Sequence, residues 1–232
     1  LPKQSALVIA CHGANQDAGY LQGLAKWENV ADTAKFVVVY ANGVDKMWDI
    51  SGSRDLKFME AIIAEMYSRY GINKNKVYLT GFSMGGMISQ EIVLKKPSLV
   101  RKMVISGTGP AGGKGIAKVN RIADRELIRG LLIRQDPKVF LFFTRTDNGK
   151  RAAKAFIKRI NERTKDLDKK ITISAYRAQL RALKKWGNKK PVDLSVIKHP
   201  TLVANGEHDR MVPTLNTYDL AKRLPNSQLI IY

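Results

Sequence analysis

The apolar residues of the chain form short continuous runs that alternate with segments of helical period. Continuous runs, as opposed to alternating apolar and polar positions, are typical of strands covered on both faces of a parallel sheet. Strands that alternate with helices characterise the doubly wound α/β class, so we predict this class with about six strands in a mostly parallel sheet. The predicted strands are residues 7–10, 36–40, 77–80, 103–106, 201–204 and 228–232.

The clearest helical pattern lies at residues 56–70, where apolar side chains recur three or four positions apart as far as Gly71. A glycine directly after the last periodic residue is a common helix C-terminus. A second helix is predicted at about residues 87–95, and Pro97 marks its end. Each helix separates two predicted strands, as the crossover connections of a parallel sheet require.

Residues 110–195 depart from this alternation. The stretch is rich in Lys and Arg, and its apolar residues recur three or four positions apart, as they do in a helix. We therefore predict a helical cap at 110–195, inserted into an α/β core that comprises residues 1–109 and 196–232. Within the cap, residues 139–143 are all apolar and fit either a strand or a buried helix.

The charge of the chain is unevenly distributed. The 232 residues are 44% hydrophobic, enough for one well-packed domain with a small lid, and the formal net charge is +20. Residues 1–80 contain 9 Lys and Arg against 8 Asp and Glu, whereas residues 81–232 contain 31 against 12, with most of the excess between Lys114 and Lys190. Such a surface attracts anions, nucleic acids or acidic lipids at low salt. A solvated basic lid is the simpler interpretation, because no helix-turn-helix, zinc or ribonucleoprotein signature is present.

Cys11 is the single cysteine, which excludes a disulfide within this sequence and a cysteine-rich metal site. A chain of this kind is compatible with a reducing compartment, so we expect a cytoplasmic location, with secretion left open. No run of about 18 apolar residues predicts a membrane span, and residues 1–4 are unlike a signal peptide. No metal or organic cofactor is implied, and the sequence leaves the oligomeric state open.

Residues 81–85 read Gly-Phe-Ser-Met-Gly and fit the motif Gly-x-Ser-x-Gly. The motif follows a predicted strand and precedes a predicted helix, which is the setting of a nucleophile elbow, a strained turn that exposes a serine hydroxyl above the sheet. Ser83 is therefore the candidate nucleophile, and the N–H of Met84, at the start of the helix, is a candidate oxyanion donor. The structural alternative is a glycine-rich turn that contains a serine by chance.

This motif and two others resemble those of the α/β-hydrolase superfamily. Residues 7–14 form a strand followed by a His-Gly turn, and residues 206–213 fit the loop pattern Gly-x-x-Asp-x-x-Val-Pro. From about Ala6 to Met87 the chain is similar to feruloyl esterases and polyhydroxyalkanoate depolymerases, and from Ser83 onward it resembles capped bacterial α/β-hydrolases. The change of resemblance coincides with the charge step near residue 80, so we hypothesise a chimeric chain, recombined or engineered.

The resemblance implies roles for four more residues. The backbone N–H of Ala14, or alternatively of Asn15, supplies the second oxyanion donor. Asp209 takes the position of the triad acid, which orients an imidazole and stabilises its charged form. The alternative for Asp209 is a purely structural cap of the following helix. His12 is expected to be structural, hydrogen-bonded beneath the oxyanion turn.

The triad histidine is where the sequence departs from the family pattern. In this superfamily that histidine follows the last strand, and residues 228–232 are the last strand predicted here. His199 precedes a strand and is expected at the edge of the sheet away from Ser83. His208 lies beside the acid and is a possible surrogate base, although adjacent side chains point in different directions.

We therefore expect a serine hydrolase that cleaves carboxylic esters through an acyl-enzyme, with aryl or acyl esters of modest size as substrates. Trp48 either lines the substrate pocket or belongs to the core, and the core is the simpler interpretation. Two alternatives stay open. The first is a catalytically silent domain with an intact fold, which the missing histidine favours. The second is a basic protein that binds anions or nucleic acid through residues 114–190.

Overall fold

The computed structural model describes residues 3–162 and 172–232, and in these residues six parallel strands form one sheet in the order β2-β1-β3-β4-β5-β6. The predicted class, a doubly wound parallel α/β sheet, is confirmed. The strands are β1 (Leu7–Cys11), β2 (Val37–Ala41), β3 (Val77–Phe82), β4 (Lys102–Ser106), β5 (Thr201–Asn205) and β6 (Ser227–Ile231).

The strand order reverses between β1 and β3, because the chain first adds β2 on one side of β1 and then adds β3 on the other. Cys11 at the end of β1 pairs in register with Gly81 near the end of β3. The turns that follow these two strands therefore lie next to each other at the carboxyl edge. In open α/β sheets this switch point is the usual place for a ligand site.

Both of the connecting helices that were predicted, at 56–70 and at about 87–95, are present, and α1, α2 and α9 were not predicted. The helix predicted at 56–70 begins slightly earlier, at Arg54, and its C-cap Gly71 adopts a left-handed conformation with φ of 60°. The helices outside the β4–β5 connection are α1 (Ala18–Ala25), α2 (Trp27–Ala34), α3 (Arg54–Tyr70), α4 (Met84–Lys95) and α9 (Leu215–Arg223).

The two faces of the sheet are buried to different extents. One face packs on α3, α4 and α9 and forms the main core, in which Ile9, Leu79 and Ile105 are at most 1% exposed. The other face is only partly buried along β3–β6, where a cleft of about 480 Å³ is lined by Tyr78, Val104 and other strand residues. The continuous apolar runs predicted cover on both faces, so this half-open face is a difference from expectation.

The described part of the connection between β4 and β5 contains four α-helices, which we call the insertion helices. Residues 110–195 were predicted to form a helical cap; their described part contains these helices joined by loops, and residues 163–171 of the predicted cap lie outside the described residues. The apolar residues at 139–143, which fitted a strand or a helix, contain a short helix. The insertion helices are α5 (Val119–Leu132), α6 (Lys138–Phe142), α7 (Asp147–Ile160) and α8 (Ile173–Asn188).

Candidate active site

Ser83 occupies the sharp turn between β3 and α4. Its backbone has φ of 54° and ψ of −115°, a conformation that non-glycine residues rarely adopt. The turn is held because the Ser83 N–H donates a hydrogen bond to the Ser106 carbonyl at the end of β4, at 2.9 Å. Strained residues of this kind persist where the surrounding structure enforces them, and they cluster at functional sites.

The glycines of the motif allow α4 to approach the sheet closely. A Cβ atom on Gly81 would lie 2.3 Å from the Gly85 carbonyl oxygen, and one on Gly85 would lie 2.1 Å from the Cys11 carbonyl oxygen. Real Cβ atoms essentially never approach other atoms so closely, so any side chain here would displace the helix. The spacing of the motif is thus a packing requirement as well as a sign of chemistry.

The turn after β1 lies close to Ser83, because a Cβ built on Gly13 would be 3.2 Å from the Ser83 Cβ. The Gly13 N–H donates to Gln16 Oε1 at 2.9 Å, and the Asn15 N–H donates to Gln179 Oε1 at 2.5 Å. For the Ala14 N–H, no hydrogen-bond partner is found among the residues that the structure describes. Of the two donors considered from sequence, Ala14 is therefore the one with a free N–H.

Met84 is the first residue of α4, directly after Ser83. The first amides of an α-helix lack partners within the helix and carry the positive end of its dipole. The Met84 N–H thus lies where an anion beside Ser83 would be stabilised.

Asp209 lies in the loop after β5, where its Oδ1 accepts hydrogen bonds from the N–H groups of Met211 at 2.8 Å and Val212 at 3.0 Å. Burial raises the pKa of this carboxyl, and the two backbone hydrogen bonds act in the opposite direction. A Cβ built on Gly107 would lie 3.0 Å from the Phe82 ring and 3.8 Å from Asp209 Oδ2. The carboxylate therefore lies close to the residue that precedes Ser83.

Ser83 and Asp209 both line a cavity of about 900 Å³ between the carboxyl edge of the sheet and the insertion helices. Its wall is mostly aliphatic and aromatic. The ion pair of Lys46 and Asp17, at 2.6 Å, contributes a polar patch to this wall. The apolar part of the wall includes Met87, Ile116, Val119, Leu127, Leu141, Phe142, Phe143, Ile160, Leu180, Leu183 and Val212.

Two buried polar side chains connect the insertion helices to the loops of the site. Gln179 of α8 is fully buried; besides accepting from Asn15, it donates to the Lys46 carbonyl at 2.9 Å. Glu126 of α5, also fully buried, accepts a hydrogen bond from Arg210 at 2.8 Å. Sequence analysis missed both residues. A glutamine within the apolar stripe of α8 was the available signal.

The three histidines have other partners. His12 is fully buried at the end of β1, where its Nε2 accepts the Gly43 N–H at 3.1 Å, and burial lowers the pKa of its ring. His199, which lies just before β5, forms a hydrogen bond of 2.8 Å between its Nε2 and the Pro97 carbonyl. His208 lines the cavity, but its side chain is 78% exposed and lies 3.8 Å from Glu207.

Trp48 belongs to the core: it is 2% exposed, and its indole N–H donates a hydrogen bond to the His12 carbonyl.

Neither a metal centre nor a membrane span is found in the described part of the chain. Residues 3–162 and 172–232 contain no group of three or more His, Cys, Asp or Glu side chains that could hold a metal ion. None of the helices formed by these residues is both long and apolar enough to cross a bilayer.

Comparison with known proteins gives partial sequence matches and a full-length structural match. The bifunctional acetylxylan esterase/xylanase XynS20E of Neocallimastix patriciarum is 44% identical over 91 residues, which are 38% of this chain and 14% of that protein. A probable feruloyl esterase C of Aspergillus terreus is 25% identical over 116 residues, 48% of this chain and 43% of that protein. This chain thus spans less than half the length of either relative, and the resemblance to feruloyl esterases is confirmed.

An alpha/beta hydrolase fold protein from Chitinophaga pinensis superposes with a TM-score of 0.74 at 25% identity, covering 100% of this chain and 82% of that one. The model of the alpha/beta hydrolase fold family matches residues 52–232, which include both the Ser83 turn and the Asp209 loop. The chain therefore belongs to the alpha/beta hydrolase fold family.

Proposed function

We propose that this chain is a carboxylic-ester hydrolase in which Ser83 forms an acyl-enzyme. The observation that carries the proposal is the strained backbone of Ser83 at the wall of a large, mostly apolar cavity that Asp209 also lines. The esterase names of two relatives with partial matches agree with this chemistry.

In the proposed reaction the Ser83 hydroxyl attacks the ester carbonyl, and the N–H groups of Ala14 and Met84 stabilise the negative charge that develops on the carbonyl oxygen. The alcohol leaves, and water then releases the acid from Ser83. Asp209 has the part of the acid that orients an imidazole and stabilises its charged form. No step in this scheme requires a metal or an organic cofactor.

The general base is the open part of the scheme. Without a base to accept its proton, a serine hydroxyl is a poor nucleophile. His208 is the surrogate base that the sequence offers, since it lines the same cavity as Ser83, but its exposed position favours the alternative of a silent domain that only binds.

The cavity wall supports a substrate with an apolar acyl or aryl group. Aliphatic and aromatic side chains form most of the wall, and many of them come from the insertion helices. We therefore propose that residues 110–195 act as a cap that encloses the substrate, over a core of residues 1–109 and 196–232. A buried apolar wall stabilises such groups by removing their surface from water.

The test is covalent labelling with a fluorophosphonate probe. We expect labelling of the parent chain that is lost in Ser83→Ala and retained in the matched control Ser51→Ala, whose serine lies in an exposed turn. Hydrolysis of short p-nitrophenyl esters is measured alongside. A folded sample in which Ser83 is never labelled would support the silent alternative.

The role of His208 is tested separately. If it supplies the base, His208→Asn lowers the labelling rate by about a hundredfold or more, the usual contribution of a positioned base. If the base is absent, His208→Asn labels like the parent, and added imidazole raises ester cleavage in the parent more than in Ser83→Ala.

A further inference from the structure

Helix α5 ends in apolar side chains that are exposed to solvent. Ile128, Leu131, Leu132 and Ile133 are 58%, 73%, 79% and 50% exposed, and we call these four residues the apolar tip. Exposed apolar side chains are ordinary when they are scattered singly, whereas a contiguous group marks an interaction site. Here four of them occur within six consecutive residues.

Exposed arginines flank the apolar tip on both sides. Arg121 and Arg125 precede it on the same helix, at the i, i+4 spacing that places side chains on one face, and Arg134 follows it. The helix is closed by a hydrogen bond from the Gln135 N–H to the Gly130 carbonyl at 2.9 Å. This bond fixes the turn that presents the tip, so the exposed group is part of an ordered helix end.

The apolar tip adjoins partly exposed residues of the cavity wall, which we take as the mouth of the cavity. Leu127, next to the tip, and Phe142 of α6 both line the cavity, and they are themselves 39% and 45% exposed. A surface that receives the tip would therefore also lie next to Leu127 and Phe142, at the mouth of the cavity.

The charge of this region selects the kind of partner. Residues 110–195 contain 23 Lys and Arg against 8 Asp and Glu, an excess of 15 positive charges out of the net +20 of the chain. A second copy of the same basic surface would be repelled. Nucleic acid would match the charge, but it would not bind the four exposed aliphatic side chains, because the bases of single strands stack on aromatic side chains. An anionic lipid surface matches both the charge and the apolar side chains.

We propose that the apolar tip and its flanking arginines dock this protein on an anionic lipid surface, with the mouth of the cavity facing the lipid. The tip enters the boundary between headgroups and acyl chains, while the arginines stay at the level of the headgroups. This docking does not depend on whether Ser83 is active.

The deciding experiment is cosedimentation with vesicles of phosphatidylcholine alone or mixed with phosphatidylglycerol. A chain of this charge binds anionic vesicles to some extent in any case, so the informative variant leaves the charge unchanged. We expect Leu131→Ser/Leu132→Ser to weaken binding to the anionic vesicles about tenfold or more. The matched control is Val30→Ser/Val196→Ser, in which 50% and 59% exposed side chains away from the tip are changed. Equal binding by both variants would overturn the proposal.

The arginines are tested by Arg121→Gln/Arg125→Gln against Lys57→Gln/Lys76→Gln, which removes two exposed charges outside the insertion helices. Each cation near an anionic surface contributes a factor of about five in affinity. We therefore expect about a 25-fold loss for the arginine pair and a clearly smaller loss for the lysine pair. Equal losses would mean nonspecific attraction and would contradict docking through the tip.

Insertion of the tip is read directly by fluorescence. We expect Leu132→Trp to show a blue-shifted emission and quenching by brominated lipid when anionic vesicles are added, whereas Val196→Trp shows neither. The alternative partner of the tip is a second copy of this chain, which sedimentation without vesicles tests. If the parent is a dimer that dissociates on Leu131→Ser/Leu132→Ser, and Leu132→Trp shows no blue shift on lipid, the tip serves self-association and the proposal is overturned.

Discussion

Arg210 of the loop after β5 donates a hydrogen bond to the buried carboxylate of Glu126 in α5, at 2.8 Å. Arg129 lies 3.6 Å from the second oxygen of the same carboxylate. Because Arg210 directly follows Asp209, this contact attaches the candidate acid loop to the insertion. The Arg210 hydrogen bond, helped by the charge of Arg129, holds the pKa of Glu126 below its usual range.

We expect Glu126→Gln to lower the free energy of unfolding by about 1.5–3 kcal/mol, since hydrogen bonds to charged groups contribute about this much. A depressed carboxyl pKa stabilises the fold above the pKa of the unfolded chain, and this contribution is lost as the pH falls through the folded value. The difference between parent and variant should therefore shrink below about pH 4. Urea unfolding at neutral and acidic pH measures it.

The control for this prediction is Glu65→Gln. Glu65 pairs with Arg69 one turn away on α3, and both side chains are more than half exposed. Exposed pairs contribute little, so the change should stay within about 0.5 kcal/mol. Equal effects of the two substitutions would show that the contact between Glu126 and Arg210 has no special weight.

Gln179 of the insertion helices binds two loops of the core: it accepts a hydrogen bond from the Asn15 N–H in the turn after β1 and donates one to the Lys46 carbonyl in the loop after β2. Gln179→Met keeps the approximate shape of the side chain but removes the partner of both partly buried backbone groups. We expect the free energy of unfolding to fall by about 1–3 kcal/mol, because a typical hydrogen bond contributes about 0.5–1.5 kcal/mol.

Gln179 is a positioning residue, so its effect on labelling distinguishes a local role from general destabilisation. We expect fluorophosphonate labelling of Ser83 to slow in Gln179→Met even where the sample is fully folded, because the Ala14 amide is displaced. Leu183→Ala, a nearby core truncation on the same helix, serves as the comparison. If both variants label at the parent rate, the oxyanion turn does not depend on the insertion.

Alanine substitution at two glycines should change stability in opposite directions, because α4 approaches β1 closely at one of them and the other has free space around it. Gly85→Ala places a methyl group 2.1 Å from the Cys11 carbonyl oxygen, so we expect a loss of at least about 3 kcal/mol, or no folded protein. Gly23 lies within α1 with nothing within 4 Å of its Cβ position. Gly23→Ala should raise stability by up to about 1 kcal/mol, since alanine favours the helix. Soluble yield and urea unfolding measure both, and a stable Gly85→Ala would disprove the close approach.

The parts of this protein that could be predicted from sequence are those with a local cause. The strands followed from continuous apolar runs, and the turn at Ser83 followed from glycines whose spacing the packing requires. Gln179 and Glu126 were missed because a polar residue on a helix is usually solvated, and only the tertiary contacts with Asn15 and Arg210 show that these two are buried. The half-open face of the sheet was missed for a different reason. An apolar run shows that a strand can be buried on both faces, but it does not show whether a helix covers each face.

Asp209 allows function and stability to be separated. Burial raises the pKa of its carboxyl, so the folded chain holds the proton more tightly than the unfolded chain does. The charged form therefore costs stability at pH values above the folded pKa, and the cost disappears below the unfolded pKa of about 4. Asn in its place carries no charge, and its Oδ1 can still accept the Met211 and Val212 amides.

We therefore expect Asp209→Asn to melt at the same temperature as the parent or higher at about pH 7, with the difference vanishing below about pH 4. The control is Asp193→Asn. Hydrogen bonds from Ser195 lower the pKa of Asp193, so removing this charge should change the melting temperature in the opposite direction. That variant should melt at or slightly below the parent temperature at neutral pH. A drop of several degrees for Asp209→Asn would mean that a cation or donor stabilises the charged carboxylate. An unchanged or raised melting temperature would instead mean that the charged carboxylate adds no stability to the fold, as the raised pKa of Asp209 predicts.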